Sequence, residues 1–156
     1  MSTFPAGWNE HVAYLVGERA YLLHTEGRFQ ESLALFEGLS EIHPDNLYFR
    51  DALSALYLSL GNAQEAVRHA SQIIASAPSY INALVRRGEA YLRLGMTSDA
   101  ERDLKRLRDL EAYVAVRRME SRLMAVRRKQ TVHSMQRFSK LETRSTNPQL
   151  YLSQKR

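Results

Sequence analysis

Gly27, Gly61 and Gly95 stand 34 residues apart in this chain, and Pro44 and Pro78 share that spacing. A fixed period of roughly 20–50 residues constrains a fold more than any local propensity, because every unit must adopt the same structure and bury its apolar face against its neighbours. When segments 13–46, 47–80 and 81–114 are superposed, Leu23, Tyr57 and Tyr91 share one column. Ser32, Ala66 and Ala100 share a second, and Ala20, Ser54 and Gly88 a third. Each repeated glycine separates two amphipathic stretches, where a left-handed helix C-terminus favours a residue without Cβ. The prolines of HPDN and APSY close the second stretch of their units, since proline lacks an N–H and disfavours helix at the residue before it. The small residues of the second and third columns fall where the two helices of a unit cross, and let the backbones approach. The pattern predicts three antiparallel helix pairs.

These columns resemble those of the tetratricopeptide repeat (TPR), a helix–turn–helix unit of about 34 residues. The resemblance implies an all-α fold, a right-handed helical solenoid of three helix–turn–helix repeats at 13–46, 47–80 and 81–114, after a short N-terminal lead at 1–12. It also implies a protein-binding function on the concave wall, which in this family is lined by the first helix of each repeat. Carried onto this sequence, the lining positions are Tyr14, Gly17, Tyr21 and His24, then Tyr48, Asp51, Ala55 and Leu58, then Asn82, Val85, Glu89 and Leu92. Such a groove is tyrosine-rich and apolar, which suits an extended or helical peptide. One TPR subfamily grips the C-terminal carboxylate of heat-shock chaperones with Lys, Asn, Asn, Lys and Arg. Those positions hold Gly17, Tyr21, Ala52, Asn82 and Arg86 here, and only Arg86 fits. Several donors must converge on one carboxylate, so that ligand is not expected.

The third repeat departs from the pattern, with Ala112 in the proline column and no glycine or proline between Met96 and Pro148. Hydrophobic phase nevertheless predicts a break. Ala100, Leu104, Leu107 and Leu110 form one stripe and Val116, Met119, Leu123 and Val126 another, and extending the first lands on Arg118 and Arg122. A bend or short turn is expected near 111–115. Residues 115–143 read as a basic C-terminal helix that caps the last repeat through the second stripe, with Arg117, Arg118, Arg122, Arg128 and Lys129 outside. Its second half, with Val132, Met135, Phe138, Leu141, Arg137 and Lys140, has no repeat left to cover and is free to dock on a partner, a second copy or an anionic surface. Residues 144–156 read as a flexible tail.

Charge follows the same division. Residues 1–110 carry −3 and residues 111–156 carry +8, so the net +5 belongs to the C-terminal third. With no cysteine, there is no disulfide framework or thiolate chemistry. The five histidines show neither the i, i+4 pairing nor the nearby carboxylates of a zinc site, and no phosphate loop or nucleophile elbow occurs. No cofactor and no metal are expected. The expectation is a non-enzymatic, cytoplasmic adaptor or chaperone that binds a protein segment. Three repeats plus a flanking helix also resemble the small bacterial chaperones of type III secretion, which hold a partner segment in the concave groove until export. The competing expectation is a scaffold anchored to an anionic membrane or nucleic acid by the basic helix; nucleic acid is the weaker of these, because no recognised module is present.

Overall fold

A computed structural model describes the backbone of residues 10–145 and the side chains of 10–137, 139 and 140. Seven helices and no strand occupy this span: α1 (Glu10–Thr25), α2 (Phe29–Ile42), α3 (Leu47–Ser59), α4 (Ala63–Ser76), α5 (Ile81–Arg93), α6 (Thr97–Asp109) and α7 (Tyr113–Ser145). Each of the first six packs on its successor, which makes a succession of hairpins; α5 also rests on α3, and α7 on both α5 and α6. Most of the 1–12 lead and most of the 144–156 tail lie outside the described residues.

The turns within pairs repeat in detail. Gly27, Gly61 and Gly95 all have left-handed backbone, with φ of 78°, 80° and 75°. The following N–H of Arg28, Asn62 and Met96 returns to the carbonyl of Leu23, Tyr57 and Tyr91 at 2.8–2.9 Å, so each helix ends in the six-to-one bond that spends an otherwise orphaned carbonyl. The break foreseen near 111–115 is a fourth copy of this turn: Glu111 holds φ 55° in the glycine's place and Ala112 N–H bonds to Leu107 O at 3.0 Å. Proline turns are closed differently, with Asn46 capping α3 by accepting from the N–H of Tyr48 and Phe49 at 3.0 and 3.4 Å.

Small residues pack the crossings as the columns suggest. Ser32 is fully buried and its hydroxyl donates to Ala20 O at 2.7 Å; Ser54 donates to Ala66 O at 3.3 Å. The two serines stand in opposite columns, so each of the first two pairs keeps one hydroxyl bridging the crossing. Gly88 differs from the expected role. A Cβ there would collide with Cε and Sδ of Met119 on α7, whereas Cβ of Asp103 on α6 would be 3.7 Å away. The missing side chain makes room for the capping helix more than for the helix of its own pair.

Met119 and Leu123 are buried in one core with Leu84, Leu104 and Leu107, and half-buried Val116 and Val126 pack against it. The first half of α7 thus covers the last pair. A buried ion pair ties this core together: Arg87 donates to both carboxylate oxygens of Asp103, at 2.9 and 2.6 Å, and to Ser71 at 3.2 Å, joining α4, α5 and α6.

Candidate partner-binding groove

α1 and α3 stand further apart than α3 and α5 or α5 and α7, which pack directly. The gap is a groove of ≈ 830 Å³ lined by Glu10, Ala13, Tyr14, Gly17, Glu18, Tyr21, Leu22, His43, Asn46, Tyr48 and Phe49. Spacing along α1 explains its tyrosines: Tyr14 and Tyr21 are seven residues apart, or about two turns, so both rings project from one side. Tyr14, Tyr21 and Tyr48 are 60%, 55% and 52% exposed. Two of the three are held in place nonetheless. Tyr14 hydroxyl donates to Glu18 Oε1 at 2.8 Å, and this bond to a carboxylate raises its pKa. Tyr48 stands edge-on to Phe36 and Phe49, with centroids 6.2 and 5.8 Å away. Fixing these rings beforehand lowers the entropy lost when a ligand covers them.

Beyond Tyr48 the wall turns polar. Asp51 is buried with one carboxylate oxygen lacking a hydrogen bond, and Arg86 Nε, likewise unbonded, lies 3.8 Å from it. Burial raises the Asp51 pKa against the opposing pull of Arg86. His24, half-buried, lies 3.4 Å from Ser59 Oγ, and burial followed by the Arg86 charge lowers its pKa. Glu89 is paired twice, with Arg93 at 3.2 Å and with Arg122 of α7 at 2.5 Å. Asn82 is exposed and Val85 half-buried on the same helix.

Three expected placements change. Leu92 is only 6% exposed and belongs to the core of the last pair, not to the wall. Leu58 is only 4% exposed and packs with Ala63, Ala66 and Ala90 where the turns meet, so it presents no face to a ligand. Its position at the end of α3 brings it under the following hairpin instead. Arg122 is not on an outer basic surface; its bond to Glu89 turns it toward the groove wall. Arg117, Arg118, Arg128, Lys129, Arg137 and Lys140 are exposed. Sequence reasoning passed over Glu10, Glu18, Leu22 and His43 because fixed lining positions describe a wall's centre and omit its rim. The i, i+4 spacing of Tyr14 and Glu18 was the available signal.

Two family models, each of the tetratricopeptide repeat, match residues 23–79 and 82–110, together more than half the chain. The chain is a tetratricopeptide repeat protein. Two Arabidopsis thaliana relatives share this feature: TPR repeat-containing thioredoxin TTL4, 30% identical over 105 residues, and inactive TPR repeat-containing thioredoxin TTL3, 31% identical over 104. These alignments take in 60% and 59% of the present TPR chain but only 15% of each relative's length. Among solved structures, PcrH from Pseudomonas aeruginosa superposes with a TM-score of 0.70 at 20% identity, over 77% of this chain and 95% of that one. PcrH in complex with the chaperone binding region of PopD gives 0.71 at 19% identity, over 81% and 99%. The first TPR of Spaghetti (RPAP3), bound to the HSP90 peptide SRMEEVD, gives 0.68 at 20%, over 78% and 98%. At these identities the likeness is one of fold.

Proposed function

We propose that this TPR protein is an interaction adaptor that holds a segment of a partner polypeptide along the wall formed by α1, α3, α5 and α7. The observation that carries the reading is the trio Tyr14, Tyr21 and Tyr48, more than half exposed around an open groove, with Tyr14 held by Glu18 and Tyr48 by Phe36 and Phe49. Their rings serve as anchors. Leu22 and Phe49 supply apolar floor beside them, and the Asp51–Arg86 pair lies beyond Tyr48 on the same wall. His24, Asn82, Val85 and Glu89 extend the contact toward α7. A chaperone role of the secretion kind is supported by the near-complete overlap with PcrH, a protein solved with chaperone binding regions of PopD and PopB. Recognition of a C-terminal carboxylate by the five-residue clamp is not proposed, since Arg86 alone matches it and faces Asp51.

A photo-crosslinking side chain tests the surface. Placed at Tyr48 it is expected to capture the partner in the native cell, and placed at exposed Gln64 on α4 it is not. Capture from Gln64 alone would overturn the groove reading.

A further inference from the structure

Exposed large apolar side chains are concentrated at the two ends of the solenoid: Tyr14, Leu15, Tyr21 and Leu22 on α1, and Tyr113, Val114, Met124, Val132 and Met135 on α7. End helices of a solenoid ordinarily turn a polar face outward. Here exposed apolar side chains stand among the polar ones, and the charges beside them differ in sign. Among the described residues, the groove-lining side chains of full charge are Glu10 and Glu18, both acidic. α7 beyond Val126 exposes Arg128, Lys129 and Arg137, and every residue with a described side chain from Arg127 to Lys140 is exposed. Met124, Arg128, Val132 and Met135 recur at intervals of four, four and three, so they share one face.

We propose that the α1/α3 groove of one copy receives the distal half of α7 from a second copy. Val132 and Met135 would cover Tyr14, Tyr21 and Tyr48, with Arg128 and Lys129 against Glu10 and Glu18. The lengths agree: α7 continues for roughly 28 Å after Val126, and the groove-lining part of α1, Glu10 to Leu22, runs for roughly 20 Å. Because each copy has one groove and one such helix at opposite ends, two copies facing antiparallel satisfy both contacts and close a two-fold dimer. The inference rests on the groove reading above in using the same wall. It adds that the groove is occupied by the chain itself until a stronger segment displaces it.

Sedimentation velocity of the full chain from low to high micromolar concentration tests this. A concentration-dependent dimer is expected, weakened by salt because the contacts at the groove rim are charged. Val132→Glu/Met135→Glu and, separately, Glu10→Lys/Glu18→Lys are each expected to weaken association at least about tenfold. All four positions are exposed, so circular dichroism should be unchanged. Adding Arg128→Glu/Lys129→Glu to the groove reversal should restore the dimer by exchanging the charges. A monomer at every concentration overturns the proposal, as does a dimer broken by the α7 changes and indifferent to the groove changes. A monomeric chain that sediments with phosphatidylserine-containing vesicles overturns it in favour of a lipid surface. None of these outcomes decides whether a foreign segment crosslinks at Tyr48, so the two readings fail separately.

Discussion

Glu111 occupies a left-handed position that glycine fills in the three preceding turns. An L side chain there costs about 1 kcal/mol, and Glu111 is exposed with nothing buried to lose. Glu111→Gly should therefore raise the melting temperature by a few degrees, read by thermal circular dichroism; a lowered one would mean the side chain holds the turn. At His69 the effect is of charge. The ring stacks on Tyr57 at 5.2 Å, and Nε2 accepts from Arg68 Nη2 at 2.8 Å, which requires that nitrogen unprotonated. Burial first, then the Arg68 charge, lowers its pKa below 6.5, with Glu65 and Glu37 opposing and Arg50 adding to the fall. The unfolded chain then binds more protons than the folded one in the window below 6.5, so the stability contributed by neutral His69 is lost as pH falls through it. Melting temperature should drop from about pH 7.5 to about pH 5, and less steeply in His69→Gln. Equal slopes would assign the loss to other groups. Residue-level legibility was uneven. Tyr14, Tyr21 and Tyr48 could be read from register because each is on an α-helix at a fixed offset from a glycine. The pairing of Arg122 with Glu89 spans two helices not adjacent in sequence, and no local pattern encodes it.

At the scale of elements, α7 is one continuous helix with two different environments. Met119 fills the space over Gly88 and its end is buried there, so Gly88→Ala should destabilise by about 1 kcal/mol net, the overpacking being partly offset by a gain in helix propensity of about 1 kcal/mol. Met119→Ala alone leaves a cavity and is also destabilising. Combined, the two changes should cost clearly less than their sum, because the new methyl enters the space vacated; additive losses in denaturant titrations would show that the two do not meet. Truncation separates the halves. Ending the chain after Ala112 strips Met119 and Leu123 from the core and should lower the melting temperature and promote aggregation. Ending it after Gln130 should leave the melting temperature nearly unchanged at concentrations where the full chain is monomeric, since the described side chains beyond are exposed. If the shorter deletion is as damaging, the distal half belongs to the core. The break before α7 was legible from the phase of two stripes. Its form was not, because a left-handed glutamate has no sequence signature.

Across the whole molecule, a single period fixes the order of the hairpins, and the consequence for function is spatial. Repetition places first helices side by side and leaves their outer faces as one continuous wall. What repetition does not specify is where the wall opens, and here it opens between α1 and α3, where the rings are. The affinity of the captured partner for the wild-type chain and for Tyr21→Ala/Tyr48→Ala, measured by calorimetry on samples with matching circular dichroism, tests the account most directly. Each anchor should contribute about 2 kcal/mol, so the double variant should bind several hundredfold more weakly, or roughly 4 kcal/mol. Undiminished affinity in a folded double variant would contradict the claim that this groove is the recognition surface.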